Sequence, residues 1–234
     1  MSSGARRPSR PGADTKELRL RPIPIDPRTG RATLVVLIVL WAVVVGASMK
    51  MLLDYQVRPG APAHAPASWP AASGIPRPAA HASLLLLAHP RCPCTRATIG
   101  ELARIMADAR GGLDARVLFV VPPGFDERWA RADLWNEAAR IPGVVLVLDR
   151  GGIEARHFGV VTSGQALLYD VQGRLRFAGG ITPGRGHEGD NAGRDAILAI
   201  VASRPSAHET TPVYGCPLAV AAPVEDGTVA GCRR

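Results

Sequence analysis

Two cysteines separated by a single proline, Cys92-Pro93-Cys94, stand where an apolar run gives way to a helical period. The run Ser83–Ala88 (SLLLLA) has the continuous apolar character of a strand buried on both faces. Residues 95–110 then place Ile99, Leu102, Ala103 and Met106 on one stripe, and Gly111-Gly112 ends the period. Thiols at the carboxyl end of a strand and the amino end of a helix lie at the positive pole of the helix dipole. That position favours thiolate over thiol and makes sulfur both nucleophile and ligand. Arg91 and Arg96 are expected to push the same way, and Pro93 fixes one φ between the thiols.

Such a pair can exchange disulfides, or it can hold a soft ion such as Cu(I). Cys92, Cys94, Cys216 and His89 are the candidate ligands for the copper alternative, and exchange itself needs no cofactor. A purely structural role for the cysteines is the third reading. Cys216, in Val213-Tyr214-Gly215-Cys216-Pro217-Leu218, is expected to fold back to the Cys92/Cys94 turn as a resolving thiol or third ligand. Its alternative is a staple to Cys232, which an oxidising compartment permits.

A second concentration of chemistry is the loop Gly179–Asn191 (GGITPGRGHEGDN). It can bring Arg185, His187, Glu188 and Asp190 near the thiols or a ligand, or it can be an elaborate turn with Asp190 or Asn191 capping the next helix. No Gly-Lys-Ser/Thr follows, so it is not a phosphate-binding P-loop. His64, His81 and His208 are read as solvated, and His157 as a cap or packing residue.

The elements that must position these groups alternate. A second strand is expected at Ala115–Val121, a helix at Asp126–Arg140 and a strand at Val144–Leu148. A short helix at Gly152–Phe158, strands at Gln165–Asp170 and Leu175–Ala178, and a helix at Asn191–Ser203 follow. Val171–Arg174, with Gly173 near its tip, makes the last two strands a hairpin. Alternating βα units predict an α/β domain with a mixed sheet flanked by helices: parallel strands, closed by an antiparallel edge.

A strand, a Cys-Pro turn, a helix and this element order resemble the thioredoxin-like superfamily over about residues 81–204. The stretch from Phe158-Gly159-Val160 through Leu167–Asp170 to Gly173-Arg174 is similar to the fourth strand and hairpin of its membrane-tethered thiol-disulfide members. HPRCPCTRA, TSG and RGHEGDN also resemble small anchored proteins labelled RedB. The resemblance implies catalytic Cys92 and Cys94, with Cys92 the more exposed attacking thiol and Cys94 or Cys216 resolving. Pro93, Thr162, Ser163 and Gly164 would line the groove for protein thiols or disulfides. Two departures stand out. The usual reactive pair is Cys-x-x-Cys, whereas one residue separates the cysteines here, so a disulfide between them closes a tight, strained ring. Gly164 occupies the usual cis-proline position.

Composition bounds the rest. The chain has 234 residues, 47% apolar and 21% charged, with 25 Gly, 21 Pro and four Cys. That suits one domain with irregular flanks and excludes wholesale disorder and a disulfide-dense scaffold. Residues 1–32 carry eight basic and three acidic residues, so +5 of the +8 net charge lies there. A basic face for nucleic acid is therefore not expected on the domain. Ala32–Met49 holds no charge, and residues 32–53 are expected to be a transmembrane anchor in the lipid bilayer. An uncleaved anchor is favoured over a signal peptide, whose apolar region is about 7–15 residues. Positive-inside bias puts residues 1–31 in the cytoplasm and the domain in the periplasm, on a single-pass inner-membrane protein. Residues 54–80, rich in Pro and Ala, read as an extended spacer, 81–204 as the domain, and 205–234 as a cysteine-containing tail.

Overall fold

The computed structural model describes residues 27–218. The basic stretch before Pro27 and Cys232 lie outside the described residues, and with Cys232 the staple it would form with Cys216. Contacts divide the chain into two compact units, one up to Lys50 and one from Met51 onward. In the first, α1 (Pro27–Val57) begins, a helix that outruns the expected span at both ends. From Gly30 to Val57 it has 28 residues, and its most apolar 18-residue stretch has a mean hydropathy of 2.5 and no burial. At about 1.5 Å per residue that is about 42 Å, so the helix is long and apolar enough to cross a membrane.

The second unit is built on a five-stranded sheet. Its elements are β1 (Ala82–Ala88), α2 (Pro93–Ala109), β2 (Leu113–Val121), α3 (Glu127–Ala130), α4 (Asp133–Ala138), β3 (Val144–Arg150), α5 (Ile153–His157), β4 (Gln165–Tyr169), β5 (Leu175–Gly180) and α6 (Ala192–Val201). The strand order is β3-β2-β1-β4-β5. β1, β2 and β3 run parallel, with Leu86 opposite Val117 and Val117 opposite Leu146. β4 is antiparallel to β1, and β5 to β4. The expected parallel sheet with an antiparallel edge is therefore what forms, and β1, which feeds the cysteine turn, is its central strand.

Alternation along the strands makes two cores. Leu84, Leu86 and Ala88 of β1 join Val117, Phe119, Ala166, Leu168 and Phe177 on the face covered by α2, α4 and α6. Leu85 and Leu87 join Leu118, Val120, Leu167 and Tyr169 on the other. This explains the unbroken apolar run: a period of two is invisible when both faces are dry.

The second face corrects the expected spacer. Among the described residues the helix packed there is α5, which has five residues and cannot cover six large side chains. Residues 60–77 do so instead. Ile75 is buried there, and Trp69 packs edge-on against Phe158 and Tyr169, with centroids 5.1 and 5.3 Å away. The backbone is fastened by Gly60 N to Val213 O (2.8 Å), His64 N to Gly159 O (2.9 Å) and Trp69 N to Gly173 O (2.8 Å). Tyr169 Oη donates to Pro66 O at 3.1 Å. Gly159 permits one of these contacts. Its φ is +64°, and a Cβ there would stand 2.2 Å from His64 O. A Pro/Ala-rich sequence without apolar period thus serves as a strap, because turns and proline spare it the need for its own hydrogen-bond ladder.

One expected helix is two. The chain breaks at Ala132, whose backbone is extended, between α3 and α4. Trp129 on α3 turns out toward His89, Arg91 and Phe125, whereas Trp135 on α4 lies against Phe119.

Candidate functional site

Cys92 is the N-cap of α2, with φ −86° and ψ 119°, and Pro93 begins the helix. Proline is favoured there because its missing N–H belongs to the unpaired first turn. The helix thus starts two residues before its apolar period shows, and Cys94 stands in its first turn. Pro93 is exposed, while Cys92 is 1% and Cys94 9% exposed. The expectation that Cys92 is the more open thiol is therefore overturned. Its sulfur is covered by Cys216, whose Sγ lies 3.0 Å away across 124 residues of sequence. The return of Cys216 to the turn is one of the two alternatives that the sequence leaves open for it.

The loop Thr162–Gly164 faces the same turn. Ser163 Oγ accepts from His89 N at 2.8 Å and lies 2.8 Å from Thr95 Oγ1. Gly164 N donates to Leu87 O at 2.7 Å, with φ +86° and Thr98 Oγ1 3.2 Å from where a Cβ would be. Thr162 Oγ1 donates to Ala61 O on the strap at 2.7 Å. The loop is not open, however. The chain around Cys216 pairs with it antiparallel: Thr162 bridges Pro217, Ser163 N donates to Cys216 O (2.8 Å), and Leu218 N donates to Val161 O (2.7 Å).

The thiols divide one negative charge. Cys92 is lowered to about 4, first by the hydrogen bond from Cys216, against burial, and further by the hydroxyl and amide of Thr95. Cys216 is raised, because its thiol donates a hydrogen bond to the charged Cys92 sulfur and because it is desolvated. Burial and then the charge on Cys92 raise Cys94 as well. The pair thus behaves as a Cys92 thiolate accepting from a Cys216 thiol. His89 is lowered by burial and by Arg91, partly offset by the Cys92 charge. Its Nδ1 accepts from Arg91 N at 3.2 Å and its ring meets Trp129 at 5.5 Å.

The expected push from Arg91 and Arg96 is absent. Arg91 lies over the Trp129 ring, and Arg96 pairs with Glu137. Arg185 takes that place. Its Nη1 donates to Gly215 O at 2.8 Å, its guanidinium stacks 4.9 Å from the Tyr55 ring, and its charge favours the thiolate at Cys94 and Cys216. The other loop candidates do not reach the sulfurs. His187 Nδ1 lies 2.7 Å from Arg185 O, Glu188 meets Arg104 at 2.9 Å, and Asp190 meets Arg194 at 3.0 Å. Asn191, and not Asp190, caps α6, with Oδ1 accepting from Arg194 N at 2.8 Å.

Sequence reasoning missed Glu101, which holds this loop. It is fully buried on α2 and accepts from Gly189 N (2.8 Å), Asn191 Nδ2 (3.2 Å) and Arg194 Nη1 (2.8 Å), and it also pairs with Arg104. The signal was there: Glu101 is an acid on the stripe through Thr98, Leu102 and Ile105, where solvent cannot be its partner. Thr95 and Tyr55 were also passed over. Among the described residues, no group of three or more His, Cys, Asp or Glu side chains is arranged to hold a metal ion.

A mixed sheet of order β3-β2-β1-β4-β5, flanked by helices, with the cysteine turn joining its central strand to α2, decides the architecture. The fold is thioredoxin-like. The chain matches no family model and no curated protein. Among solved structures it is similar to a hypothetical protein of Sinorhizobium meliloti, at 21% identity over 59% of this chain and 79% of that one, with a TM-score of 0.48. An uncharacterized conserved protein of Geobacillus kaustophilus gives 17% identity, 59% and 76% coverage, and a TM-score of 0.48. A secreted Mycobacterium tuberculosis disulfide oxidoreductase homologous to E. coli DsbE gives 16% identity, 53% and 82% coverage, and a TM-score of 0.38.

Proposed function

We propose that the chain is a membrane-anchored protein that exchanges disulfides with protein thiols in the periplasm, with Cys92 as nucleophile and Cys216 as resolving thiol. The observation that carries this is the 3.0 Å approach of the two sulfurs at the amino end of α2, with the charge on Cys92. The Cys92 thiolate attacks one sulfur of a partner disulfide, forming a Cys92–partner disulfide and releasing the other partner sulfur as thiolate. Cys216 then gives up its proton to the released partner thiolate and attacks Cys92 Sγ. The Cys92–Cys216 disulfide forms and the second partner thiolate leaves. Two electrons pass to the partner, and the reverse sequence oxidises a partner dithiol by the same atoms. Cys216 suits this step better than Cys94, because a Cys92–Cys94 bond would close a ring across one residue at the start of a helix. Arg185 stabilises charge on the attacking Cys216.

The eight Lys and Arg residues that precede the uncharged stretch Ala32–Met49 support an orientation with the domain outside the cytoplasm, where disulfides persist. The test is reduction of a disulfide-bearing substrate by the full chain in detergent. Cys92→Ser should lower turnover to background, and Cys216→Ser should accumulate a mixed disulfide on Cys92. Undiminished turnover in Cys92→Ser removes the reading. A metal retained through purification and lost in Cys92→Ser would replace it with the copper alternative.

A further inference from the structure

The groove beside the reactive thiol is already filled, and by the chain itself. Residues 209–218 enter along β5, where Ala178 N donates to Glu209 O (2.9 Å) and Thr211 Oγ1 donates to Gly180 O (2.7 Å). They then cross to the Val161–Ser163 edge and make the antiparallel pairing described above. The fit is close. A Cβ on Gly180 would lie 2.4 Å from Pro212 O, and one on Gly215 only 1.8 Å from Ser163 O. Val213 and Leu218 are 3% and 5% exposed, and Leu218 reaches the second core. Arg185 holds the Gly215 carbonyl. This arrangement sets one sulfur, that of Cys216, on Cys92.

We propose that the Val161–Ser163 edge is a docking site for an extended polypeptide with glycine immediately before its reactive cysteine and an aliphatic residue two positions after it. In this state residues 215–218 (Gly-Cys-Pro-Leu) occupy it in cis, so that a partner must displace them to reach Cys92. The glycine requirement follows from the Ser163 carbonyl, which leaves no room for any Cβ at that position. The aliphatic requirement follows from the burial of Leu218. Two main-chain hydrogen bonds, from Ser163 N and to Val161 O, are available to any sequence and would give the edge affinity without selectivity. Displacement also separates Cys216 from Cys92 while the partner's sulfur bonds there, and return of the segment brings the resolving thiol back. Redocking and resolution are thus one movement.

The inference rests on Cys92 as the exchanging thiol, and its test reads a different quantity. In the reduced full-length protein, alkylation of Cys92 by a polyethylene-glycol maleimide is followed by peptide mapping. Cys216→Ser, which keeps the segment seated, should stay as slow as wild type. Gly215→Ala, which cannot seat, should react at least about tenfold faster, the effect of a seating equilibrium worth about 1.4 kcal/mol. Leu218→Asp, whose side chain enters the second core, should do the same, and circular dichroism identifies the variants that remain folded. A second arm uses wild type alone. The peptide Val-Tyr-Gly-Cys-Pro-Leu, its cysteine capped with thionitrobenzoate, should form a mixed disulfide with Cys92, releasing the coloured thiolate. It should react at least about tenfold faster than its analogue with alanine before the cysteine. Equal alkylation rates in folded variants, or equal rates for the two peptides, overturn the docking site while leaving exchange by Cys92 standing. Retained turnover in Cys92→Ser removes exchange without touching the alkylation result.

Discussion

Replacing Cys216 with alanine removes the hydrogen bond that contributes most to holding Cys92 as a thiolate, so Cys92 must titrate higher. The perturbation is local, because only the Cys216 Sγ–H is lost while the backbone bond from Ser163 N to Cys216 O is kept. A hydrogen bond to a charged group contributes about 1.5–3 kcal/mol, and 1.36 kcal/mol corresponds to one pH unit. The Cys92 midpoint should therefore rise by about 1–2 pH units from its value of about 4. It should stay below neutrality, since Thr95 and the helix terminus remain. The sign for stability follows. Cys92 titrates lower folded than unfolded, so its ionisation stabilises the fold at neutral pH, and that contribution is lost as pH falls through the folded midpoint. In the alanine variant the contribution should be smaller and should be exhausted at a higher pH, where the raised folded midpoint lies. Ultraviolet absorbance of the thiolate, followed through an acid titration of the reduced protein with Cys94 replaced by serine, reads the midpoint. Cys216→Ser keeps a hydroxyl donor and should shift it less. A midpoint that is unchanged or lower in Cys216→Ala would refute the idea that Cys216 supports the charge.

Further consequences can be checked separately. Glu101→Ala removes the buried acceptor shared by Gly189 N, Asn191 Nδ2 and Arg194 Nη1 and should cost about 1–3 kcal/mol, seen as a lower thermal midpoint, with a smaller loss in Glu101→Gln. Trp69→Ala should cost about 2–3 kcal/mol, below the range for a fully buried tryptophan, and should open residues 60–77 to limited proteolysis. Gly159→Ala should release the same strap, because of its positive φ and the His64 carbonyl, at about 1–3 kcal/mol. Removing residues 1–50 should move the protein from the detergent-extracted to the soluble fraction of cells, and an unchanged distribution would count against the anchor.

Much of the fold was legible because its signals are local. SLLLLA, the Gly111-Gly112 stop and the Gly173 turn each fix an element within a few residues, and the order of elements then fixes the sheet. The strap was not legible. Its residues carry no period, and only the shortness of α5 shows that they must cover the second face. At the site, Cys92 and Cys94 stood out by spacing, and Cys216 by its type and its position after the last helix. Burial of Cys92 beneath the tail was hidden, since it depends on a pairing between residues 161–163 and 216–218 that no local pattern announces. Arg91 and Arg96 misled for a related reason. Charges near in sequence found surface partners, and Arg185, distant in sequence, arrived on a loop pinned by a buried glutamate.

The pairing of sulfurs is the centre of this account, and disulfide mapping tests it most directly. The full-length protein would be oxidised, quenched in acid, alkylated and digested without reductant. A cross-linked peptide pair joining Cys92 to Cys216, with Cys94 alkylated and the bond reversed by dithiol, is the predicted result. A Cys92–Cys94 bond, or alkylation of all three cysteines after oxidation, would contradict it.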